Sequence, residues 1–314
     1  MIAFVFPGQG AQKVGMGKSL AAQFPICRET FAEADEALGE SLSSLCFDGP
    51  EERLLLTEHA QPAILATSIA VCRLVESMDV EPSFAAGHSL GEYSAHVAAG
   101  TISFADALRT VRRRGQYMQE AVPVGVGAMA AILGLDAEGV ARACAEAAAE
   151  LGQIVTPANL NAPGQVVIAG HTEAVRRAGE LARAQGAKRA IPLNVSAPFH
   201  CSLMTPAEDR LAPELLALTA HNPRVPVVAN VDAEPKRNAA SSIEALIRQV
   251  SAPVRWDDVV RRLVAEGVKT FVELGPGTVL AGLIKKIDRT VAVVSIENES
   301  QLPALERLRG VRHE

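Results

Sequence analysis

SFAAGHSLGEYSAHVAAG, residues 83–100, decides the fold. A short apolar run (83–87) meets a small-residue segment (90–99) across GHSLG (87–91). The run reads as a buried strand and the segment as a helix that can pack closely. A strand turning directly into a helix is the repeating unit of a parallel α/β sheet. GHSLG also matches G-x-S-x-G. A serine at such a turn has its hydroxyl lifted off the sheet edge, and the next backbone N–H, here that of Leu90, faces a developing oxyanion. Ser89-Leu-Gly-Glu92 equally fits the S-x-x-E capping box. Ser89 is therefore either a nucleophile or the residue that starts a helix.

Working outward, IAFVF (2–6) ends at Pro7-Gly8 and reads as another buried strand. AQPAILATSIAVCRLVESM (60–78) is apolar on most sides and predicts a central helix. Helical spacing also marks 26–39, and Ser103 caps a helix running to about Ala121. PVGVG (123–127) is a linker. After it the pattern reads strand 128–133, helix 136–150, strands 153–158 and 165–169, helix 172–185 and strand 188–193. That order, βαββαβ, is a ferredoxin-like unit. From about 196 the α/β alternation resumes, with helix 204–218, strand 225–229, helices 241–250 and 256–266, strand 269–274, helix 277–286, strand 290–296 and a last helix. A parallel-sheet α/β domain interrupted by a small α+β insert follows.

The chain has 314 residues, of which 48% are hydrophobic and 21% charged, enough apolar content for a large core. A net charge of −6 argues against non-specific nucleic-acid binding. MIAFVFPGQG lacks the basic and apolar regions of a signal peptide, and no run of about 18 apolar residues predicts a membrane span. The five cysteines are widely spaced without a CxxC pair and read as reduced, mostly buried thiols of a cytoplasmic protein. No His/Cys/Asp set has metal-ligand spacing.

A serine nucleophile needs a base. His88 is adjacent and diverges. His96 lies roughly 10 Å further along the helix, too far. His59, His171, His221 and His313 read as solvated surface residues. His200 ends SAPFH (196–200), between a strand and a helix, where a strand end delivers a side chain to a crevice. A lone histidine there is otherwise a structural residue. A serine hydrolase of the α/β-hydrolase type is the competing class, but no HGGG-type motif precedes Ser89 and no strand-end acid lies between 89 and 200. Arg112, Arg113 and Arg114 point about 100° apart on a helix, so at most one enters a given site. Gln61 reads as a pocket or helix-start residue, Asn159 and Asn161 as parts of the insert's hairpin, and ELGPGTVLAG (273–282) as a tight strand-to-helix turn. Lys285, Lys286 and Arg289 read either as a patch for an acidic partner protein or as ordinary C-terminal helix charges.

FPGQGAQ (6–12), TEHAQPAI (57–64), GHSLGEYSA (87–95), RRRGQYMQEA (112–121), NLNAPGQVVIAG (159–170), SAPFH (196–200) and ELGPGTVL (273–280) together resemble the malonyl-CoA:acyl carrier protein transacylases of fatty-acid synthesis. The resemblance runs from residue 1 to about 296, in order. It implies an α/β-hydrolase-like parallel-sheet core (1–125 and 196–314) with an inserted ferredoxin-like α+β subdomain (126–195). It implies ping-pong transfer of malonyl from malonyl-CoA to the phosphopantetheine thiol of acyl carrier protein. By resemblance Ser89 is the acylated nucleophile, His200 its base, and the backbone carbonyl of Gln249 orients that base in place of a carboxylate. Gln9 and the N–H of Leu90 correspond to the oxyanion hole, and Arg114 to the group that grips the malonyl carboxylate. Phe199, beside His200, matches an aromatic that accompanies malonyl rather than branched malonyl groups in related domains. The implied protein is a cytoplasmic monomer whose partner is acyl carrier protein. It uses no cofactor and no metal, since malonyl-CoA and the holo carrier are substrates, and it engages neither nucleic acid nor membrane.

Overall fold

The computed structural model of the chain describes residues 1–195 and 197–308; Ser196 and His313, named above, lie outside them. The strands are β1 (Ile2–Phe6), β2 (Phe84–Gly87), β3 (Gly127–Leu133), β4 (Val155–Ala162), β5 (Gln165–His171), β6 (Arg189–Pro192), β7 (Val227–Val228), β8 (Pro235–Lys236), β9 (Thr270–Leu274) and β10 (Ala292–Ile296). They form two sheets. The larger has the order β10-β9-β1-β2-β7-β8, parallel throughout except for the β7–β8 edge pair. The smaller is antiparallel with the order β4-β5-β3-β6, the strand order of a ferredoxin-like βαββαβ unit.

IAFVF is continuously apolar because both faces of β1 are covered. Ile2, Phe4 and Phe6 join one core cluster, while Ala3 and Val5 join a second on the opposite face. The helix Thr57–Glu76 buries every residue except Glu58, Arg73 and Glu76, as its all-round hydrophobicity predicts. It begins before the expected residue 60, so Pro62 lies inside it rather than in its first turn. The smaller sheet has its own core around Ile132, Val140, Ile168 and Val175, but Met129, Val167 and Ala169 turn to the main core. Backbone bonds from Val254 N to Ala158 O and from Leu160 N to Val254 O tie β4 to the segment before the helix Trp256–Ala265.

Three short helices, Lys18–Gln23, Leu42–Asp48 and Glu51–Leu54, fall where no helix is expected, because so few residues carry no readable period. The last element, Glu299–Leu308, is a 3₁₀ rather than an α-helix. All five cysteines are buried and free. No helix among the described residues is long and apolar enough to cross a membrane.

Candidate active site

Packing around the elbow explains GHSLG. A Cβ on Gly87 would sit 1.9 Å from the backbone of Gly91, and one on Gly91 would sit 2.1 Å from the carbonyl oxygen of Phe6. Only glycine lets the helix Gly91–Ala98 approach β1 and β2 so closely. Ser89 at the apex takes a left-handed φ of 52°, and His200 a φ of 60°. Such conformations are costly for residues with a Cβ and cluster at functional sites. The capping box does not form: Leu90, not Ser89, occupies the N-cap position, without a side-chain cap hydrogen bond.

The Ser89 hydroxyl instead meets His200 Nε2 at 2.7 Å. His200 Nδ1 faces two carbonyl oxygens, those of Gln249 (3.0 Å) and Ala252 (3.2 Å). Carbonyls only accept, so Nδ1 carries the proton and Nε2 is left bare to accept from Ser89 Oγ–H. Burial, followed by the Arg114 guanidinium, pushes the His200 pKa down to about 3. The imidazole is therefore neutral at pH 7, with Nε2 its free acceptor.

Of the three consecutive arginines, one enters the site. Arg112 pairs with Glu40 and Arg113 with Glu214. Arg114 is 2% exposed and donates to Gln61 Oε1 (2.8 Å), Gln249 Oε1 (2.9 Å) and Ser89 Oγ (3.1 Å). Its guanidinium stands 5.5 Å from the Tyr93 ring centroid. Among the described residues it has no carboxylate partner. A desolvated guanidinium held only by neutral groups is prepared to receive an anion.

Ser89, His200, Arg114 and Gln61 line a cavity of about 630 Å³ that also includes Gln9, Met118, Asn159 and Phe199. Gln9 Oε1 accepts from the Thr57 hydroxyl (2.7 Å), which in turn accepts from Gln61 Nε2 (3.1 Å), linking Gln9 to Arg114. Leu90 N–H, at the helix start, has no acceptor among the described residues and can receive an oxyanion.

The remaining histidines have other duties. His88 Nε2 meets Asn161 Oδ1 of β4 at 2.8 Å, so Asn161 joins the insert to the elbow rather than only shaping a hairpin. His96 is buried against Thr101. His59 is buried, not solvated as expected, because its helix is covered on most sides. His171 accepts from Ile154 N–H (3.0 Å). Lys285 and Lys286 donate to Val291 O and Gln165 Oε1 of their own chain. ELGPGTVLAG is a strand-to-helix turn in which Glu273 accepts the N–H groups of Leu280 and Ala281.

Sequence reasoning missed Asn230, Glu92 and Thr57. Asn230 Oδ1 accepts from Ser89 N–H (2.7 Å), and its Nδ2 donates to Gly87 O (2.7 Å). It follows β7, and the parallel register pairing Ala86 with Val228 brings it beside the elbow. Its place at the end of an expected strand was the available signal.

A serine on a strand-to-helix elbow, hydrogen-bonded to a carbonyl-held neutral histidine, defines an enzyme class working through an acyl-serine ester. The description "Acyl transferase domain" matches residues 3–309, and the chain belongs to that family. It is 53% identical to the malonyl CoA-acyl carrier protein transacylase of Escherichia coli (strain K12), over 96% of this chain and 97% of that protein. An acyl carrier protein S-malonyltransferase from Vibrio cholerae superposes with a TM-score of 0.94 at 50% identity, covering 97% of this chain and 99% of that one. A malonyl-transacylase solved in complex with its type II PKS acyl-carrier protein matches equally, with TM-score 0.94, 50% identity and 96% and 98% coverage.

Proposed function

We propose that this protein transfers malonyl from malonyl-CoA to the phosphopantetheine thiol of acyl carrier protein. The carrying observation is Arg114, a buried cation without a carboxylate partner among the described residues, 3.1 Å from the Ser89 hydroxyl. A free carboxylate drawn into so dry a site must be paired, and guanidinium offers a planar two-pronged match. The names of the relatives agree with this substrate.

Ser89 Oγ attacks the thioester carbonyl while His200 Nε2 takes its proton. The oxyanion rests on Leu90 N–H and a second N–H near Gln9. The tetrahedral intermediate collapses, the C–S bond breaks, and the imidazolium returns its proton to the leaving thiolate. The malonyl-serine ester is then attacked by the carrier's thiol, with His200 again accepting the proton, and Ser89 leaves as the hydroxyl. Carbonyls fix the histidine tautomer but stabilise imidazolium less than a carboxylate does. Leu55, Leu56 and Val124, exposed at the cavity mouth, offer apolar surface to the thioester arm. No step calls for a metal or a resident cofactor.

Intact-mass spectrometry after brief mixing with malonyl-CoA, and again after adding holo acyl carrier protein, tests this reading. A one-malonyl gain that Ser89→Ala abolishes and that moves to the carrier is expected. An adduct lost to water without carrier acylation makes the protein a hydrolase. No adduct on folded protein overturns the assignment of Ser89.

A further inference from the structure

Glu92 is fully buried three residues beyond Ser89, and it forms no ion pair among the described residues. An acid in the first turn of a helix ordinarily faces the N–H groups of that helix. Glu92 faces other elements instead. Its Oε2 accepts from Asn230 N–H (2.9 Å) and from the Gln249 side-chain amide, Nε2 (2.8 Å).

That second bond fixes an otherwise ambiguous group, since an amide's oxygen and nitrogen occupy nearly the same shape. Gln249 Nε2 also donates to Ser89 O (2.9 Å), and Gln249 Oε1 accepts from Arg114 Nη2 (2.9 Å). Flipping the amide would press its NH₂ against a guanidinium donor and its oxygen against two other oxygens. Gln249 thus touches the elbow's backbone and the arginine through its side chain, and the histidine through its own carbonyl. Glu92 holds the far end.

We propose that Glu92 is a positioning residue for acyl transfer, locking the Gln249 amide so that its oxygen aims Arg114 at the incoming carboxylate and its nitrogen braces the Ser89 peptide. This assignment rests on the malonyl-transfer reading for Arg114. Burial raises the Glu92 pKa to about 7, against the lowering by the Gln249 and Asn230 bonds. With Oε2 occupied as acceptor, a proton taken up by Glu92 goes to Oε1, and the lock holds in both protonation states. Asn230 completes the brace by accepting Ser89 N–H, so both peptide groups flanking the strained apex are tied to side-chain amides.

The test is a double-mutant cycle on the full-length protein, with Glu92→Leu, Gln249→Leu, their combination, and Glu92→Gln. Gln249→Leu keeps the backbone carbonyl that holds His200. Two readouts are taken: the acylation rate with malonyl-CoA and with acetyl-CoA, and the rate at which a serine-directed sulfonyl fluoride labels Ser89. Residues coupled through one network lose less together than the sum of their separate losses. Glu92→Leu is expected to slow malonyl acylation roughly 10-fold or more, and acetyl acylation less. The double variant should be no slower than Gln249→Leu. Glu92→Gln, which still offers an oxygen to both N–H groups, should stay within about threefold of the parent. Additive losses, a Glu92→Leu variant at the parental rate, or a Glu92→Gln variant as slow as Glu92→Leu overturns the proposal. Glu92→Met, unbranched and without an acceptor, replaces the leucine variant if that chain does not fold. The readouts separate the two claims. A parent that takes no malonyl but is labelled normally refutes the transfer reading, while the cycle in labelling rate still tests the brace on Ser89.

Discussion

Arg114→Ala removes a cation that is 2% exposed and donates to Gln61, Gln249 and Ser89. With malonyl-CoA the variant must desolvate a carboxylate that has lost its partner. Truncating one side of a buried, hydrogen-bonded charge pair costs about 2–5 kcal/mol. At tenfold per 1.4 kcal/mol, that is a fall in kcat/KM of roughly 30- to 4,000-fold. Acetyl-CoA carries no carboxylate, so it forfeits only the donor at Ser89 Oγ and the altered posture of Gln249. The malonyl-to-acetyl ratio of kcat/KM should therefore drop by about 30-fold or more. Arg114→Lys should recover only part of the loss, because an ammonium cannot present a planar fork to a carboxylate while keeping both glutamines. The assay is rapid-quench intact mass at matched concentrations of the two thioesters, after a thermal melt shows the variants folded. Equal losses for the two substrates would falsify the carboxylate-gripping role.

His200→Ala leaves Ser89 without its base and should lower acylation by about 10²–10⁴-fold with a folded circular-dichroism spectrum, and a fully active variant makes His200 structural. Phe199 is 8% exposed and lines the cavity beside His200, where its ring would crowd an α-substituent, so Phe199→Ala should raise methylmalonyl relative to malonyl turnover; an unchanged ratio of kcat/KM removes it from selectivity. Burial depresses His96 from 6.5 to about 3, so its contribution to stability is fully present above the unfolded pKa of 6.5 and is lost as pH falls toward the folded value. Between pH 7 and pH 5 that loss is about 2 kcal/mol, and His96→Gln should shrink the pH-dependent drop in urea stability by that amount; an unchanged drop refutes it.

Sequence legibility varied with how local the signal was. Strands buried on both faces, such as β1, and the all-apolar helix from Thr57 announced themselves through composition. The βαββαβ order between Gly127 and Pro192 was readable because each element has its own period. Short helices were not, and neither was burial of His59, which depends on what packs over its helix. Ser89 was recognisable as a nucleophile or a cap, since its turn and its capping box use the same letters. Tertiary geometry separates them: the hydroxyl points to His200, 111 positions away, and the cap does not form.

The order of periods, the glycines of GHSLG and the ordered motifs determined the α/β class, the insert and the family resemblance from local chemistry alone. Which arginine enters the site, which tautomer His200 takes, and why Asn230 and Gln249 converge on Ser89 with Glu92 behind them were decided only by tertiary structure. These depend on contacts between residues as far apart as Ser89 and Gln249, separated by 160 positions. A hydrogen bond leaves no period along the chain. Only the parallel register that sets β7 beside β2, and the packing of elements onto that sheet, brings those side chains within reach of one another.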